Sequence, residues 1–195
     1  QLNCPRVFPY IIELNTILLQ VINMFSKSNM INFVEESQKD EEAVEDLLNY
    51  VFSPSRFHLS SYSLRKGVQK IDSLCFVAKR ETGDVLGVVR QWPIIVGNDP
   101  KNISLLTGPV AVHPIVQGEG IGSALINLSL SSSKQQGWKR AVLIGDYGYY
   151  KNFGFFQQLE QKVIFPSPID PKRVLLLEIE HGSFKGLTGN VRSFS

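Results

Sequence analysis

Two cysteines in 195 residues, Cys4 and Cys75, are too few and too far apart for a disulfide framework. A reducing, cytoplasmic setting is the simpler expectation. His58, His113 and His181 are scattered, with no H-x-x-x-H or C-x-x-C partner, so no metal is expected. An excess of one charge is also missing. Lys and Arg number 20 against 18 Asp and Glu, a net +2 that argues for neither nucleic acid nor a membrane surface as partner. No apolar run is long enough to cross a bilayer. The nearest, residues 11–25, is a helical stripe interrupted by Glu13, Asn15, Gln20 and Asn23. Its flanks do not match a secretory or transit leader. Internal repeats and low-complexity linkers are absent too. What remains is an ordinary globular composition, 43% hydrophobic and 19% charged, at a length suited to one domain.

Periodicity divides that domain into mixed strands and helices. Strands are expected at Ile31–Glu35, 74–79, Val85–Val96, Ile103–Val112, 140–146, 163–165 and 174–180. Helices are expected over Glu41–Phe52, where Val44, Leu47, Leu48 and Val51 share a face, and over 123–136, which Gly137 could cap. A further short helix follows at Tyr149. The segment 53–70 is polar and broken by Pro54, and 166–171 is a proline-rich loop.

The chemistry concentrates at Gln117, Gly118, Glu119, Gly120, Ile121 and Gly122, between the strand Ile103–Val112 and the helix that starts at Ser123. A strand-to-helix turn leaves backbone N–H groups unpaired at the positive end of the helix dipole, which favours phosphate. Glycines let a ligand approach the backbone without a Cβ in the way. The spacing is G-x-G-x-G, so the dinucleotide pattern fails by one residue, and no G-K-[ST] follows for a P-loop. Taken alone, a plain turn explains these residues about as well. Some 25 residues on comes a second block, Tyr150-Lys151-Asn152-Phe153-Gly154-Phe155.

The Q-x-x-G-x-G loop entered from V-A-V-H-P, followed by Y-x-x-F-G-F, resembles the GNAT superfamily of N-acetyltransferases. The resemblance runs from about Met30 to the C-terminus. In detail it is most similar to a bacterial branch of predicted N-acetyltransferases whose substrates are poorly defined. It implies one GNAT-like α/β (α+β) domain over 30–195, with a mixed central sheet, splayed parallel strands at the acetyl-CoA site and helices on both faces. Residues 1–29 are then expected to be an extension or a start-site artefact, which the N-terminal mass of the native protein would decide.

The same resemblance implies acetyl transfer from acetyl-CoA to an amine, either a small molecule or a peptide. Backbone groups of Val110, Ala111 and Val112 would hold pantetheine and the acetyl carbonyl. Gln117, Gly118, Glu119, Gly120, Ile121, Gly122 and Ser123 would hold the pyrophosphate, and Asn152 the CoA arm. Tyr150 would protonate the departing thiolate, while Tyr149 is expected to be structural.

An alkylammonium, with a pKa near ~10, must lose a proton before it attacks. Glu178, alternating with Glu180 on one strand face, is a candidate base; a solvated sheet face is the competing explanation. Asp146 is the other candidate. His113 lies towards the pyrophosphate end and suits packing or phosphate better than catalysis. Arg90 and Trp92 would shape the acceptor pocket or pack in the core. The competing function is a non-catalytic acetyl-CoA sensor, which needs the loop but not Tyr150.

Overall fold

The computed structural model describes residues 30–58, 60–158 and 162–194. The 11–25 stripe, the proposed 1–29 extension and Cys4 lie outside them. The strands are β1 (Ile31–Glu35), β2 (Phe76–Arg80), β3 (Val85–Val96), β4 (Ile103–Val112), β5 (Arg140–Ile144), β6 (Phe156–Gln157), β7 (Val163–Ile164), β8 (Val174–Glu178) and β9 (Gly189–Ser193). Helices α1 (Glu41–Phe52), α2 (Ser60–Ser63), α3 (Ile121–Gln135) and α4 (Tyr147–Tyr150) connect them with short 3-10 turns. Among the described residues no helix is long and apolar enough to cross a membrane.

The sheet runs β1-β2-β3-β4-β5-β8-β6. Every neighbouring pair along it is antiparallel except β4 and β5. Strand β3 is the spine, buried at every position. It pairs with β4 along one edge; on the other, β2 covers its start and β9 its last three residues.

The two long helices take opposite faces. Val44, Leu47 and Leu48 of α1 pack with Val77, Val88 and Ala111. Ile121 and Leu125 of α3 pack with Phe76, Leu86 and Val89. A buried polar link also ties α3 down: Gln91 Nε2 donates to Ser129 Oγ at 3.0 Å, and Ser129 Oγ donates to the Leu74 carbonyl at 2.8 Å. A buried hydroxyl without such partners would cost about 1–3 kcal/mol.

Two expectations change. Strand β8 ends at Glu178, so Glu180 leaves the sheet and pairs with Lys139 instead of sharing a face with Glu178. Strands β6 and β9 escape the periodicity, because β6 has two residues and β9 buries only Val191.

Candidate active site

Strands β4 and β5 pair at only two positions, Leu105 with Ala141 and Leu106 with Val142. Beyond them the strands separate. From Thr107 to Val112 the β4 edge facing β5 has no strand partner among the described residues. The N–H and C=O groups that point to that edge are thus unclaimed by a neighbouring strand, the Val112 carbonyl alone accepting from the Gln117 side chain. A bulge helps to open the gap. The β3–β4 register jumps from Val89–Val110 to Gln91–Thr107, leaving Gly108 and Pro109 opposite Arg90 alone.

A cavity of about 820 Å³ fills the gap. Leu106, Thr107, Gly108, Pro109 and Val110 form one wall, and Ile144, Gly145, Asp146 and Tyr150 form the other. Arg56, Ser61, Tyr62 and Arg65 reach in from the polar 53–70 segment, and Pro168, Ile169 and Asp170 from the proline-rich loop, with Arg173 just beyond it. Neither of these two segments carries a recognisable motif.

Tyr150 is half-buried, edge-on to Phe155 at 5.8 Å and to Tyr149 at 5.0 Å. Its ring occupies the space a side chain at Gly145 would need, so glycine at 145 is what seats it. Burial, reinforced by Tyr149, pushes the phenol up to about 12. Asp146 caps α4, its Oδ1 accepting from the Tyr149 N–H at 3.0 Å. The carboxylate is exposed on the cavity wall, with its second oxygen free of any intramolecular bond shown among the described residues.

Glu178 does not join them. It pairs with Arg140 at the start of β5, about 16 Å of strand from Gly145 at ~3.3 Å per residue. Its carboxylate accepts from the N–H groups of Phe184 at 3.0 Å and Gly182 at 2.8 Å. These bonds hold its pKa below the usual carboxylate value. The role is to pin the turn after β8. Glu178→Ala is expected to cost roughly 1–2 kcal/mol, a fall of about 3–6 °C in melting temperature, with thiol release unaltered. A catalytic Glu178 would instead show as lost turnover at an unchanged melting temperature.

Of the residues proposed to bind the cofactor, Val110 lines the cavity; Ala111 and Val112 continue the open edge, and the loop follows at the surface. Gly118 and Gly120 take φ of 89° and 81°, and Gly120 is the N-cap of α3. The Ala124 N–H bonds to the Gly120 carbonyl, so the amides of Ile121, Gly122 and Ser123 precede the first turn's hydrogen bond. Glu119 is exposed, and Gln117 Nε2 donates to the Val112 carbonyl at 3.1 Å, bracing the loop. Asn152 Nδ2 is similarly engaged with the Tyr149 carbonyl at 3.0 Å.

Other residues fall differently. Tyr149, expected to be structural, brings its hydroxyl to within 2.9 Å of where a Cβ of Gly122 would sit. It bridges the α4 turn and the start of α3, a contact its position beside Tyr150 could not reveal. Arg90 is absent from the cavity lining and is buried against Glu36 and Glu45. His113 accepts from the Ile115 N–H through Nδ1 and stacks on Tyr50 at 5.1 Å. Cys75 is buried, and its thiol is pushed up to about 12 by that burial.

Strand, glycine turn, helix and a parallel pair that splits beside a half-buried tyrosine make up the site. Residues 72–157 match the family model described as an acetyltransferase (GNAT) domain, and solved GNAT proteins share the fold. The GNAT family N-acetyltransferase YhbS of Escherichia coli, solved with CoA, superposes with TM-score 0.70 at 24% identity, over 84% of this chain and 88% of that one. A Brucella melitensis GNAT acetyltransferase, solved with acetyl-CoA, gives 0.51 at 28% identity over 80% and 99%. Arabidopsis thaliana Naa50, in complex with the bisubstrate analogue CoA-Ac-MVNAL, gives 0.54 at 19% over 75% and 97%. No curated protein matches the chain.

Proposed function

We propose that this protein transfers the acetyl group of acetyl-CoA to an amine that enters the cavity between β4 and β5. The observation that carries this reading is the continuity of one surface. The open β4 edge from Thr107 to Val112, about six residues or ~20 Å, leads from the cavity to the Gly118–Gly120 turn and the N-terminal amides of α3. Tyr150 stands part-way along it, because Tyr149, its ring 5.0 Å away, brings its hydroxyl against Gly122. That suits a long donor with its phosphates at the turn and its reactive group beside Tyr150.

Acetyl-CoA supplies a thioester carbonyl that an uncharged amine can attack. The backbone of Val110, Ala111 and Val112 would hold its arm by strand-like hydrogen bonds. The N-terminal amides of α3 would hold its phosphates, aided by the helix dipole. Tyr150, protonated throughout the ordinary pH range, would give a proton to the departing sulfur. Asp146 would take the proton from the incoming ammonium, directly or through water.

Thiol release from acetyl-CoA across a panel of small amines and peptides tests the proposal, with thermal shift following acetyl-CoA itself. Amine-dependent release supports it. Stabilisation by acetyl-CoA without turnover on any acceptor favours a sensor module, and no stabilisation overturns the loop assignment.

The loop has its own test. A side chain at Gly120 would meet no protein atom within 4 Å, so replacing it strains the φ of 81° instead of causing a clash. Gly120→Val is expected to weaken acetyl-CoA at least tenfold by calorimetry. Unchanged affinity would remove the turn from the donor site.

A further inference from the structure

The end of the cavity nearest the β4 bulge carries a positive charge that the fold does not neutralise. Arg65 stands between two rings, 4.7 Å from the Tyr62 centroid and 4.6 Å from the Trp92 centroid. Stacking of this kind holds a planar guanidinium rigid without consuming its in-plane donors. Its Nε is shielded from solvent and lacks a hydrogen-bond partner, and no carboxylate among the described residues forms an ion pair with it. The neighbouring acids are already committed: Glu36 to Arg90 and Lys70, and Glu45 to Arg90 and Arg56.

Thr107, on the same wall, has a buried Oγ1 that is also without a partner. The Arg65 guanidinium reaches Gly108, where Nη2 lies 3.9 Å from the position of an added Cβ. Both orphan groups therefore flank the bulge at which the sheet opens.

Tyr62 offers the guanidinium a phenolic partner but no carboxylate does, and a guanidinium so shielded is costly unless an anion completes it. Burial, with the adjacent Arg90 and Arg56, outweighs Tyr62 and holds its pKa down to about 10. The donor cannot supply that charge on the proposed reading, because its phosphates sit at the α3 end, beyond the far end of β4. Across the cavity lie the carboxylates of Asp146 and Asp170, with Arg173 beside them. The Arg65 cation thus faces a side of the cavity that offers carboxylates to an ammonium.

We propose that the acceptor is an amine that also bears a carboxylate, with the carboxylate bound by Arg65 and Thr107 and the nitrogen directed towards Asp146 and Tyr150. The proposal rests on the acetyltransferase reading and deepens it by naming the acceptor class. A carboxylate suits the planar guanidinium, which can offer two parallel N–H donors to its two oxygens.

The test compares amino acids with the corresponding amides and decarboxylated amines, in wild type, Arg65→Gln and Arg65→Lys. Thiol release gives kcat and KM. Calorimetry of N-acetyl amino acids and their amides, titrated into CoA-loaded protein, gives binding without turnover. Wild type is expected to prefer the acid about 30-fold or more in kcat/KM. Arg65→Gln should erase that preference through KM, and Arg65→Lys should keep part of it.

Equal use of acid and amide by wild type would overturn the proposal, as would a stronger preference for aminophosphonates or aminosulfonates. So would an Arg65→Gln loss that is the same for charged and neutral acceptors, the pattern of a purely structural arginine. If no amine is turned over, the acetyltransferase reading fails by itself. The calorimetry then still judges the subsite: selective binding of N-acetyl acids that Arg65→Gln abolishes upholds it, and absence of such binding sinks it.

Discussion

Tyr150→Phe is expected to lower turnover on the best amine about 100-fold or more, with acetyl-CoA affinity held within about twofold. The hydroxyl would act on charge that develops only as the thiolate leaves, so kcat and kcat/KM should fall together. The ring itself should stay, because its edge contacts with Phe155 and Tyr149 and its seat over Gly145 involve carbon alone.

The pH dependence sharpens the test. A donor must be protonated to act, and a phenol pushed up to about 12 remains so across any practical assay range. Wild-type activity should therefore rise as the amine deprotonates and show no downturn below about pH 11 from this group. An alkaline limb near 10 would mean that the phenol is not shielded as the structure shows. A Phe variant with full activity would leave Tyr150 a packing residue and give the proton to water.

Arg90→Leu should produce the largest loss of stability, about 3–5 kcal/mol, or about 10 °C or more in melting temperature. The Glu36 side chain has no exposed surface. It accepts from Arg90 Nε at 2.9 and 3.1 Å and from Nη2 at 2.7 Å, while Arg90 Nη1 reaches Glu45 at 2.6 Å. Leucine would strand a carboxylate in the core with only Lys70, 3.7 Å away, to offset it. Such a loss is a large share of the ~5–15 kcal/mol typical of a domain.

The companion variant identifies the cause. Replacing Glu36 and Arg90 together by leucine should recover much of the stability, because a buried pair contributes little beyond an apolar equivalent. A double variant no better than the single would show that Arg90 matters for its packing and not for the charge it covers.

Much of this architecture was legible because it is local. The bounds of α1, β3 and β4 follow from runs of apolar residues with clear breakers, and the glycine turn announces itself between a strand and a helix. What stayed hidden depends on distant partners. The strand pattern leaves Arg90 and Trp92 open between acceptor pocket and core, because Glu36 lies 54 positions upstream and nothing points back to it. It leaves Glu178 open between a base and a solvated sheet face, because the turn that closes on its carboxylate, four and six residues later, has no signature. Arg65 sits in a polar segment without periodicity, and only the approach of Trp92 and Gly108 gives it meaning. Strand β9 exists because β3 runs on past β2 and leaves an edge to fill.

The two residue pairs joining β4 to β5 also make the sheet a pair of wings on a narrow seam. At one end the seam is clamped: Leu106, Val142, Leu176, Ile94 and Val191 form one hydrophobic cluster across it. Past Leu106 no strand pairing joins the two wings among the described residues. Spreading them by a fraction of an ångström would break no strand hydrogen bond there and would work against side-chain packing. An arm laid along the gap would act as a strut, converting a compliant opening into a fixed one and setting the acetyl carbon at a defined distance from both walls.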